Sequence, residues 1–345
     1  ATRAARQREA AEAALRLAPG LPQAHHAMGH WHYFARRDYA AALAEYEIGL
    51  RGLPNDWQLW GAIGAVSRRL GNWEAVYRAF RRVAELDPRN VVQLNDLGAF
   101  TYRFTRRYED AIRMDNRALE LAPDFHLAAV HKAWTYVGWQ GQLDTLRATL
   151  QLVPADADLV WLGSAAGQRA ALFLWEREPD SLIGWLRGAH ANVFPGLPSV
   201  PASLYAGWAH QLRGDTAAAR LAFDSTLGLL DSVSRGPEAE WEVHAARGLA
   251  LAGLGRHEEA VREAQWIEQT VLYRKDVILR AYMDEERARI LGQVGEADAA
   301  LDVIERLLTG PSQLTVHSLR LDPRWDPLRS DPRFQGLLRR TNFRR

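Results

Sequence analysis

The 345 residues exceed one ordinary core, so two domains or an extended repeat array are expected, and 48% aliphatic and aromatic residues exclude a disordered chain. A formal net charge of +1 supplies no global field for nucleic acid. The absence of cysteine excludes disulfides, iron–sulfur clusters, cysteine zinc sites and thiol catalysis, and no apolar run approaches the ~18 residues of a membrane helix.

In chain order, 4-AARQREAAEAALRLAP-19 reads as the second helix of a pair whose first helix is missing, which suggests that a parent protein continues upstream. Three segments then end on a proline: 42-ALAEYEIGLRGLP-54, 76-VYRAFRRVAELDP-88 and 111-AIRMDNRALELAP-123. The prolines recur at intervals of 34 and 35 residues. Each segment follows a first helix, 24-AHHAMGHWHYFARRDY-39, 57-WQLWGAIGAVSRRLGNW-73 and 91-VVQLNDLGAFTYRFTRRY-108. The first and third units carry one more turn residue than the second. Gly29, Gly64 and Gly98 fall where the two helices of a hairpin should cross, and each Pro ends a second helix because it lacks an N–H donor.

Further on, 124–154 forms a shortened unit around Trp134, Tyr136 and Gly141, and 158–178 with 180–190 a degenerate helical pair. The segment 192-NVFPGLPSVP-201 is the candidate bend. Looser units resume at 204–223, 244–264 and 287–308. In the tail, three Asp-Pro pairs (Asp322-Pro323, Asp326-Pro327, Asp331-Pro332) predict N-caps with first-turn prolines, and Trp325 and Phe334 should pack on the last hairpin.

Together these positions resemble the tetratricopeptide repeat, with Trp60, Ile63, Gly64, Gly71, Trp73, Phe80 and Pro88 of the second unit at its pattern positions. The resemblance implies an all-α fold, a right-handed superhelical solenoid of about eight helical hairpins closed by a Pro-rich cap. It divides the chain into an array over 1–191, a connector at 192–201, a degenerate array over 202–310 and a capping tail at 311–345. The tail is similar to those ending the tetratricopeptide regions of multidomain bacterial signalling proteins with a kinase, cyclase or winged-helix effector. No kinase or cyclase motif lies in this chain.

The four histidines of 25-HHAMGHWH-32 raise a metal question. Repeat register places His26 and His30 on the concave face, His25 at a half-buried position and His32 near a packing position. One pair is too few ligands for zinc, so no metal and no cofactor is expected. There is no phosphate-binding loop, nucleophile elbow or dinucleotide fingerprint in its required context. Glu258/Glu259 and Glu285/Glu286 read as solvated helix faces, and the terminal arginines as a small basic patch.

What remains is a binding surface, because the first helices of such repeats line a concave groove. Transferred unit by unit, the groove residues are His26, His30, Tyr33, Arg68, Arg69, Asn95, Tyr102, Arg103 and Trp134. Aromatic rings beside arginines suit a peptide with acidic or C-terminal carboxylate groups. The expected function is a non-enzymatic protein-interaction scaffold, a sensing or docking region of a larger signalling protein. The alternatives are a structural subunit assembling through the solenoid ends, and a nucleic-acid or small-ligand sensor in the groove.

Overall fold

The structure, a computed structural model, describes residues 3–154, 157, 159, 162–188, 193–194, 199–232 and 240–340. Its N-terminal half contains α1 (Arg3–Leu17), α2 (Pro22–Trp31), α3 (Tyr39–Gly52), α4 (Trp57–Leu70), α5 (Trp73–Leu86) and α6 (Val91–Asp96). There follow α7 (Tyr108–Leu121), α8 (His126–Gln140), α9 (Leu143–Leu152), α10 (Ala165–Trp175) and α11 (Pro179–Gly188). A minimal antiparallel ladder, β1 (Val193–Phe194) with β2 (Val200–Pro201), occupies the expected bend. Beyond it lie α12 (Ala202–Leu212), α13 (Thr216–Ser232), α14 (Glu240–Gly253), α15 (His257–Gln269) and the short α16 (Val271–Lys275). The chain ends with α17 (Val277–Gln293), α18 (Ala297–Thr309), α19 (Val316–Leu321), a 3-10 helix (Pro323–Leu328) and α20 (Pro332–Arg339). Among the described residues no helix is long and apolar enough to cross a membrane.

Successive helices pack largely as hairpins, and among the described residues eight hairpin turns carry a left-handed residue: Arg37, Gly71, Arg106, Gly141, Arg177, Gly214, Gly255 and Gly295. The hairpins are tight where the sequence requires it. A methyl group on Gly64 would stand 2.8 Å from the Phe80 ring, and one on Gly29 would strike Tyr46. Asp38, Asp56, Asn72 and Asn90 cap the helices that follow them with their side chains. The extra residue of the first and third units is absorbed by π-helical turns at His32–Arg36 and Leu97–Tyr102, which widen the end of each first helix.

The tail meets its expectation in part. Asp322 and Asp331 cap helices opening on Pro323 and Pro332, and Trp325 and Phe334 are buried. Asp326-Pro327 instead falls inside the 3-10 helix, where Asp326 pairs with Arg177 at 2.6 Å and with Arg329 at 2.5 Å. In the degenerate pair, the first helix begins at Ala165 rather than 158; residues 158, 160 and 161 lie outside the described ones.

One feature exceeds the repeat pattern: the solenoid closes on itself. Helix α17 packs on its neighbours α14 and α15 and also on α4, and α19 packs on α8. The inner turns of the N-terminal hairpins meet this stretch in order. Val277 lies beside Gly71, and His317 beside Gly141. Arg106 donates to the carbonyls of Gly310 and Leu307 at 2.5 and 2.6 Å, and Arg177 grips Asp326. The largest core correspondingly joins Phe104 to residues of α10 through α20, whereas α2–α8 hold smaller separate clusters.

Candidate partner groove

The closing contact is built around Asp276. Its Oδ1 accepts from the amides of Ile278 and Leu279 at 3.0 and 2.9 Å, so it caps α17. Its Oδ2 accepts from Tyr39 at 2.5 Å and from Arg69 at 3.2 Å, with 1% of the residue exposed. Burial alone would weaken the Arg69 charge, but Tyr33, Asp276 and Tyr39 around it hold its pKa above the ordinary guanidinium value. Burial, then Asp276, raises the Tyr39 phenol.

Beside this contact an open cavity of about 260 Å³ runs between α2, α4, α6 and the start of α17. His30, Tyr33, Arg68 and Arg69 of the expected groove line it, with Phe34, Val92, Phe100 and Ile278. Both arginines are already neutralised. Arg68 forks onto Asp96 at 3.1 and 3.2 Å, and Arg69 holds Asp276. His30 is pushed down to about 4, by burial and then by neighbouring His26, so it is neutral at pH 7. Its ring meets His26 edge-on at 4.5 Å and Tyr46 at 5.9 Å. The two histidines therefore belong to an aromatic cluster. Among the described residues there is no group of three or more potential metal ligands.

The other five expected residues are distributed elsewhere. His26 abuts the groove through His30 and is lowered by burial against a raising effect of Asp56. Asn95 is buried, donating to Asp115 Oδ1 at 2.9 Å and accepting from His131 Nδ1 at 3.0 Å. Tyr102 stacks on Tyr77 beneath the Arg107 guanidinium. Arg103 and Trp134 line a second, interior cavity against α17.

Sequence reasoning missed Phe34 and Val92, 53% and 58% exposed on the groove wall, and Ile278 from the far end of the chain. Phe34 lies in the π-turn whose extra residue was visible in the spacing. Glu285/Glu286 are a correction. Only Glu258 of the two acid pairs is well exposed, while Glu286 is 4% exposed and both Glu285 and Glu286 bind Arg289, because α17 is enclosed on several sides.

No known protein family and no curated protein matches the sequence. Similar solved structures include PilW, a type IV pilus biogenesis factor, with 14% identity over 73% of this chain and 96% of that one and a TM-score of 0.39. Pseudomonas aeruginosa pilF is 18% identical over 61% of this chain and 93% of that one, with a TM-score of 0.45. A tetratricopeptide repeat protein from Parabacteroides merdae is 13% identical over 86% and 94%, with a TM-score of 0.36. By its own hairpins and packing, the chain is an all-α, tetratricopeptide-like superhelical solenoid.

Proposed function

We propose that the protein is a non-enzymatic interaction scaffold that holds an extended segment of a partner protein in the groove between α2, α4, α6 and the start of α17. The observation carrying this reading is the pair Phe34 and Val92, large apolar side chains more than half exposed within a concave cavity. With Arg68 and Arg69 already paired, the groove offers apolar and neutral aromatic surface, so the partner segment is anchored by aliphatic or aromatic side chains rather than by carboxylates. A role within a larger bacterial signalling protein rests on the resemblance of the tail alone.

Selection from a random-peptide phage library tests the reading. Wild type is expected to enrich peptides with Leu, Phe, Trp or Met anchors. Phe34→Glu with Val92→Glu should lose them, while Leu221→Glu, at an exposed position on α13, should keep them. Equal retention by the groove variant would overturn it.

A further inference from the structure

The interior cavity, about 220 Å³, lies between Arg103, the start of α7 at Tyr108, α8, α10, α17 and the segment preceding α19. Its wall carries an arginine with one unanswered edge. Arg103 is 7% exposed, yet its Nε and Nη2 make no hydrogen bond. These two donors share one edge of the guanidinium, the edge that forks onto the two oxygens of a carboxylate. Asp115, whose charge acts on Arg103, receives Asn95 on Oδ1 and makes no hydrogen bond to that arginine. The Tyr108 hydroxyl, also on the wall, is buried without a partner. Tyr282 accepts from Gln313 at 2.5 Å, leaving its own O–H to donate.

The acidic groups on the wall do not answer Arg103. Glu285 and Glu286 are bound to Arg289, which also reaches Asp322 at 3.4 Å. The remaining wall mixes apolar, aromatic and polar side chains, with the Trp134 and Trp175 rings 5.2 Å from each other. A buried guanidinium edge that finds no acceptor is costly, and such groups are normally satisfied by water or a ligand.

We propose that this cavity binds a small organic carboxylate, its two oxygens meeting Nε and Nη2 of Arg103 and its apolar body lying against the tryptophans. A dry cavity of about 150 Å³ accommodates benzene, so this one has room for an aromatic or branched acid of roughly ten non-hydrogen atoms. The site is separate from the partner groove and does not depend on it.

Benzoate and phenylacetate, with benzyl alcohol as the uncharged comparison and inorganic phosphate as the competing anion, test this on the full chain. Tryptophan fluorescence and thermal shift are the readouts. Either acid should give a saturable fluorescence change and a raised melting temperature; benzyl alcohol should give neither. Arg103→Gln should weaken binding roughly tenfold or more, and Tyr108→Phe, which keeps the ring, a few-fold. If Arg103→Gln does not fold, Tyr108→Phe decides, and unchanged affinity there overturns the proposal. It is equally overturned by the absence of saturation at about 20 mM acid, far weaker than a millimolar site. An equal response to benzyl alcohol, or tighter binding of phosphate than of either acid, would also sink it.

Discussion

Asp115 shows how a single buried group sets a pH dependence. Burial, opposed by the Asn95 hydrogen bond and by the Arg103 and Lys132 charges, pushes its pKa up from 3.8 to about 7. In the unfolded chain the carboxyl titrates near 3.8, so between those values the unfolded state has lost a proton that the folded state keeps. Stability from this group is therefore complete below pH ~4 and is lost as pH rises through about 7. Asp115→Asn retains an acceptor for Asn95 and cannot ionise. Its advantage over wild type is expected to be about 1–3 kcal/mol larger at pH 8 than at pH 5, in urea unfolding at both values. An unchanged difference between the two pH values would show that Asp115 is not the titrating group. Its neighbour His131 is held neutral by burial and then by Arg103, so protonation of that ring does not compensate.

Among elements, the inner hairpin turns are the informative ones. Arg106 has φ 59°, a left-handed conformation that disfavours a side chain, yet its guanidinium reaches Gly310, Leu307, Ser312 and Leu314. Two substitutions separate the effects. Arg106→Gly relieves the backbone by about 1 kcal/mol but strips those carbonyls, for a net loss of about 1–3 kcal/mol; Arg106→Ala lacks the relief and should lose about 1 kcal/mol more. Hydrogen exchange at Ser312, whose amide donates to Phe104 at 3.0 Å, would accelerate in both. Gly64→Leu tests the hairpin itself. With Phe80 against the added carbon, it should cost about 2–4 kcal/mol by thermal unfolding.

Hairpins, their crossing glycines and even the surplus residue behind each π-turn were legible in the sequence, because all are local and recur with a period. The sites were less legible. Register placed His30, Tyr33, Arg68 and Arg69 together, yet it could not show that Asp276, 207 positions from Arg69, would neutralise that arginine. Nor could periodicity reveal that Arg103 would face a cavity closed by α17, or that 284-DEERAR-289 would lie inside. A repeat specifies the contact between neighbouring units, and closure of the array is a contact between distant ones.

For the whole molecule, that closure includes a buried pair where α17 meets α4, and buried pairs have an asymmetric energetics. Asp276→Asn keeps an N-cap for α17 but leaves Arg69 enclosed without its carboxylate, which should cost about 3–5 kcal/mol. Arg69→Met leaves Asp276 with Tyr39 and two backbone amides, and should cost less. In the double variant no uncompensated guanidinium remains, so stability should recover to within about 1–2 kcal/mol of wild type. Because an array can open in sections, hydrogen exchange across α4 and α17 is the measurement to compare. Exposure of both helices together in Asp276→Asn, reversed in the double variant, would identify one cooperative seam joining the two ends of the solenoid. Loss of protection confined to α17 would instead make Asp276 only its cap. Since Ile278 lines the partner groove and Tyr282 the interior cavity, opening that seam would dismantle both sites at once.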